Sequence, residues 1–150
     1  MGAAFFYHLT DSPLEATLPM LIGKARGAGW RVLVRGKDAD LLKRLDEILW
    51  QGPEEGFLPH GLAGGPHDAD QPVLLGDVPS HGFGCLMSVG GADVSADEVS
   101  ALERTCILFD GHDGAALELA RGQWKALTDA GCTAQYWAQE AGRWTKKAEK

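Results

Sequence analysis

Four short runs in this chain, "WRVLVR" (30–35), "PVLLGD" (72–77), "GCLMSV" (84–89) and "TCILFD" (105–110), are apolar almost without interruption. A strand with one face in water alternates apolar and polar side chains. An unbroken run instead implies burial on both faces, as in a parallel sheet covered by helices. The segments between these runs have the helical period. In "DADLLKRLDEILW" (38–50), Leu41, Leu42, Leu45, Ile48 and Leu49 share one face, and Asp38 can cap it. In "DSPLEATLPMLIGKARGAG" (11–29), Leu14, Leu18, Leu21, Ile22 and Ala25 do the same. There Ser12 is the expected N-cap, Pro13 the first helical residue and Glu15 the partner in a capping box, while Pro19 can kink the helix. "SADEVSALER" (95–104) offers a second capping box in Ser95 and Glu98, and "DGAALELARGQWKALTDAG" (113–131) reads as the last long helix. "AAFFYHL" (3–9) reads as a first strand, and "CTAQYWAQEAGRWTKK" (132–147) as a strand or a hairpin turned at "EAGR". This alternation predicts a single three-layer α/β/α, Rossmann-like domain over 1–150, with a mostly parallel mixed sheet.

With 45% hydrophobic and 23% charged residues, the 150-residue chain is globular rather than disordered. No apolar run approaches a membrane span, and "MGAAFFYHLTD" does not read as an export signal. Cys85, Cys106 and Cys132 lie inside apolar segments and read as buried thiols, so a cytoplasmic protein without membrane contact is expected. The net charge of −7 conceals a division: residues 1–120 hold 8 basic and 18 acidic side chains, residues 121–150 hold 6 and 3. The phosphate backbone repels so acidic a surface, so any DNA contact is expected to be mainly indirect. Lys146, Lys147 and Lys150 read as a solvated tail; weak single-strand binding by that tail with Trp137 and Trp144 is the alternative.

A search for catalytic chemistry finds little. "RGKDAD" (35–40) is the nearest phosphate-loop candidate, but Arg31 stands where the loop needs its first glycine and Asp38 where it needs a hydroxyl. "FDGHDG" (109–114) places Asp110, His112 and Asp113 after a strand's carboxyl end, where open α/β sheets bind ligands. A small nucleotide-binding enzyme using this turn is the alternative function; turn formation and helix capping explain the same residues. No nucleophile with an orienting base and no metal-ligand spacing is found, so no catalytic or metal residue is assigned and no cofactor is expected.

Two surfaces look like binding sites instead. On the last long helix, Arg121, Trp124 and Lys125 stand at i, i+3 and i+4, placing two cations beside one indole. That chemistry suits a peptide ending in an aromatic residue and a carboxylate, although a core tryptophan with a solvated cationic rim has the same spacing. The second surface is "LDEILWQGPEEGFLPHGLAG" (45–64), where Trp50, Phe57, Leu58, Pro59 and Leu62 put apolar groups into a stretch of prolines and glycines. These residues either fold back over the domain's own core or form a patch for another protein.

"FFYHL", "GWRVLVRGKDADLLKRLDEILW", "GFLPHGLAG" and "LARGQWKALTDAG" together resemble the chi subunits of bacterial DNA polymerase III. The span 30–64 is the most distinctive, and about 76–113 carries little of the likeness. The resemblance implies a Rossmann-type domain without nucleotide chemistry. It implies a non-catalytic accessory role, bridging the clamp loader to single-stranded DNA-binding protein by gripping that protein's acidic C-terminal tail. The family's tail-binding motif falls on Arg121, Trp124 and Lys125, with Trp where Tyr is common and hence no hydroxyl. Its contact with the partner subunit psi, or with a helicase using the same face, falls on Trp50, Phe57, Leu58 and Pro59.

Overall fold

The structure is a computed structural model that describes residues 2–10, 13–50, 60–64, 71–140 and 143–150, the side chains of Trp50, His60 and Glu140 excepted. Its strands are β1 (Ala3–Leu9), β2 (Val32–Arg35), β3 (His60–Leu62), β4 (Val73–Leu75), β5 (Cys85–Ser88), β6 (Arg104–Asp110), β7 (Thr133–Glu140) and β8 (Arg143–Glu149). Its helices are α1 (Leu14–Gly27), α2 (Ala39–Trp50), α3 (Ala96–Ala101) and α4 (Gly114–Asp129). The strands form one sheet in the order β3-β4-β2-β5-β6-β1-β7-β8. Every neighbouring pair is parallel except β7 and β8, which run antiparallel. This is the three-layer α/β architecture that the unbroken apolar runs predict, and β2, β4 and β5 are buried along their whole length.

One face carries α1 and α2, whose Leu18, Leu21, Ile22, Leu42, Leu45 and Leu49 pack on Val32, Val34, Val73 and Leu75. On the other face α4 sets Ala120 and Leu127 against Phe6, Ile107 and Phe109. α3 begins with the capping box expected from sequence, Ser95 accepting from the Glu98 amide and Glu98 reaching back.

The Glu98 carboxylate has a second role. It forms a two-point ion pair with Arg35 (Nη2–Oε2 2.6 Å, Nη1–Oε1 2.9 Å) and accepts from Ser80 Oγ. The Arg35 guanidinium also donates to the Val78 and Asp93 carbonyls, so its remaining donors are satisfied although the side chain is nearly buried. Paired this way, Glu98 has its pKa pulled down to about 2, chiefly by the Arg35 hydrogen bonds and against the opposing effect of burial.

Two expectations need correction. The N-cap of α1 is Pro13, with no side-chain cap, rather than Ser12; the expected capping box of Ser12 with Glu15 lies outside the described residues, and Glu15 approaches Arg44 (3.6 Å). Residues 60–62, read as loop, form the edge strand β3 on β4. The hairpin expected over 132–147 is present as β7 paired antiparallel with β8; Lys146 and Lys147 are exposed on β8, and Lys150 exchanges backbone hydrogen bonds with Ala134. Pro19 stands inside α1, which continues through it.

Candidate functional site

α4 starts at Asp113, whose Oδ1 accepts from the amides of Ala115 (3.0 Å) and Ala116 (3.3 Å). Ala120 and Leu127, seven residues apart, mark the line buried on the sheet. At about 100° per residue, Trp124 falls beside that line, and Arg121 and Lys125 fall further round on one flank, about 40° apart. The two cations therefore lie on the same side of the indole, and both are exposed.

Trp124 itself is half-buried. Its ring meets Phe6 edge-on (centroids 5.3 Å, 68°) and Tyr136 likewise (6.0 Å, 78°). Tyr136, on β7, lies beside Phe109 (5.9 Å), and its hydroxyl is 2.9 Å from His8 Nδ1. The result is an aromatic floor contributed by β1, β6 and β7, with the indole at its margin and the cationic flank above. Burial raises the Tyr136 pKa and lowers that of His8, and Arg121 is close enough to act electrostatically on both. Arg121 also contacts Glu118 (3.1 Å), a pair exposed on both sides and therefore easily exchanged for another anion. Sequence spacing did not reveal Tyr136 as a neighbour of Trp124, nor His8 as the partner of Tyr136, because the pairing of β1 with β7 sets these residues side by side.

The 109–114 turn lies elsewhere, at the rim of a crevice of about 700 Å³ over the carboxyl ends of β1, β5 and β6. The connection from β1 leads to β2 on one side and that from β6 to β7 on the other, so the crevice marks the topological switch point of the sheet. Asp110 accepts from the His112 amide (2.9 Å), Asp113 caps α4, and His112 Nε2 donates to the Thr10 carbonyl (2.9 Å). All three are engaged in turn and cap formation. Glu15, Asp110 and Asp113 make the lining acidic, which is unfavourable for a phosphate. In "RGKDAD", Lys37 pairs with Asp93 (3.4 Å) and Asp38 accepts from the Asp40 amide, so this turn too is a cap rather than a phosphate cradle.

The family model described as "DNA polymerase III chi subunit, HolC" matches residues 1–135. The chain belongs to the DNA polymerase III chi subunit family. Among its relatives, the DNA polymerase III subunit chi of Escherichia coli (strain K12) is 52% identical over 82 residues, covering 50% of this chain and 56% of that protein. The match thus spans about half the length of the curated relative. In this chi-family domain, Arg121, Trp124 and Lys125 lie inside the family match, and Tyr136 follows its last residue. Trp50 closes α2; its side chain, and all of Phe57, Leu58 and Pro59, lie outside the described residues. Beyond them β3 forms the edge of the sheet and carries the exposed Leu62.

Proposed function

We propose that the chain is a non-catalytic accessory subunit of the DNA polymerase III holoenzyme. It links single-stranded DNA-binding protein to the clamp loader by gripping that protein's acidic C-terminal tail through Arg121, Trp124 and Lys125. The observation that carries this reading is the placement of both cations on one flank of a half-buried indole, beside an aromatic floor. The tail's terminal ring packs against Trp124 and Tyr136, while its carboxylates exchange with Glu118 at Arg121 and pair with Lys125. Exposed ion pairs contribute at most about 1 kcal/mol each, so the contact is modest in affinity and weakens with salt. The end of α2 and residues 57–59 form the second contact, with psi or with a helicase that uses the same face; aromatic anchors there account for the apolar content of that stretch. Such a protein works in the cytoplasm and needs no cofactor.

A pull-down with single-stranded DNA-binding protein tests the reading. Immobilised chain is expected to retain the full-length partner and to release a partner truncated of its acidic tail. Equal retention of both overturns it.

A further inference from the structure

The opposite face of the sheet holds a second concentration of aromatic side chains. α1 and α2 cover the middle of this face, while Trp137 of β7 and Trp144 of β8 stand beside α1, only partly buried. Between them and α1 lies a pocket of about 220 Å³ whose lining includes Phe5, Trp30, Trp137, Trp144, Arg104 and Lys24. It is smaller than the 300 Å³ or so at which drug-sized ligand sites begin, so it admits one flat ring system. The exposed Met20 thioether stands at its edge, an adaptable and polarisable wall.

The charges here are distinctive. Arg104 lays its guanidinium over the Phe5 ring (4.3 Å to the centroid) and beside Trp30 (5.3 Å). Neither Arg104 nor Lys24 has a carboxylate within ion-pair distance among the described residues, whereas Lys146 next door is paired with Glu149 (3.3 Å). Two unneutralised cations beside an aromatic slot of ring size match a base together with its phosphate. Bases stack on aromatic faces and arginine planes, and cations hold the backbone between them.

We infer that this pocket is a weak binding site for single-stranded DNA, taking one unstacked base among Trp30, Trp137 and Trp144 and its phosphate at Lys24 and Arg104. A duplex keeps its bases stacked and cannot enter. The acidic remainder of the surface limits the contact to a few nucleotides and makes it strongly dependent on salt. The site is independent of Arg121 and Lys125, which lie on the other face, so it stands or falls separately from the tail-binding proposal.

Fluorescence anisotropy of a labelled oligothymidylate, titrated with the whole chain at low salt, tests it. Binding is expected for the single strand and not for the duplex. Trp144→Ala weakens it about tenfold, the loss of one stacking partner. Because Trp144 also packs on Tyr7, Lys24→Glu provides a variant at an exposed position, with a several-fold loss and a shallower salt slope expected. Arg121→Glu leaves binding unchanged. Equal affinity in the wild type, Trp144→Ala and Lys24→Glu overturns the site, as does a duplex bound as tightly as the single strand. An oligouridylate bound more tightly overturns the assignment to DNA.

Discussion

The Trp124 indole meets the Phe6 ring edge-on at 5.3 Å between centroids, so one aromatic side chain serves both the core and the exposed flank of α4. Its removal is therefore expected to have two separable effects. Trp124→Ala should cost about 2 kcal/mol in urea unfolding, below the range for a fully buried tryptophan because the ring is half-exposed. It should also abolish tail-peptide binding. Trp124→Tyr should restore most of both, since a phenol keeps the edge contact; a tyrosine variant that is stable but does not bind would show that the indole itself is required.

The Arg35–Glu98 pair predicts an acid-sensitive fold. The Glu98 carboxyl has its folded pKa depressed to about 2 from an ordinary value of 4.5. The stability it supplies is thus complete above about pH 4.5 and is lost as pH falls towards 2. Glu98→Gln should destabilise by about 2–3 kcal/mol at neutral pH, because it leaves a nearly buried guanidinium with only its carbonyl partners. Thermal melts from pH 7 to pH 2 should fall less steeply for the variant than for the wild type. Parallel curves would mean that the pair is not the origin of the acid response.

His8 contributes in a different window. Burial depresses its pKa, so the folded state prefers the neutral imidazole; its stabilising effect is complete above the ordinary histidine value of 6.5 and declines as pH falls below it. His8→Gln should flatten the stability profile just below pH 6.5 without altering the steeper loss near Glu98's range. An unchanged slope there would remove His8 from the account.

Gly111 is held close beneath that imidazole. A Cβ at this position would collide with the His8 ring. Gly111→Ala should cost about 1–3 kcal/mol and displace His8 from the Tyr136 hydroxyl, visible as a changed His8 titration by NMR. A variant with wild-type stability and titration would show that the ring moves aside freely.

Much of this fold is written locally in the chain. The unbroken runs at 30–35, 72–77, 84–89 and 105–110 demanded a doubly covered sheet, and each contains a strand. Ser95 with Glu98 and the lone Asp113 announced helix starts that need no distant partner. The Thr, Tyr and Trp content of 132–147 pointed to a hairpin, and β7 pairs antiparallel with β8 there. One local expectation failed, the N-cap of α1, which is Pro13 rather than Ser12. The other misses were non-local: β3 is a strand of three residues because β4 lies beside it. Arg35 looked like the end of a strand, and its pairing with Glu98 sixty-three residues away had no local signal. At the candidate site the spacing of Arg121, Trp124 and Lys125 was legible, whereas Tyr136 reaches Trp124, and His8 reaches Tyr136, only through the order of strands.

If Arg121 and Lys125, on one flank of Trp124, hold an acidic peptide as proposed, reversing either charge must weaken its binding. Titration calorimetry with a synthetic acidic peptide ending in an aromatic residue, using the wild type, Arg121→Glu and Lys125→Glu, measures this most directly. Both positions are exposed, so the variants should melt like the wild type. Each charge reversal is expected to lower affinity at least about tenfold, and wild-type affinity to fall with added salt. Wild-type affinity in either folded variant would contradict it.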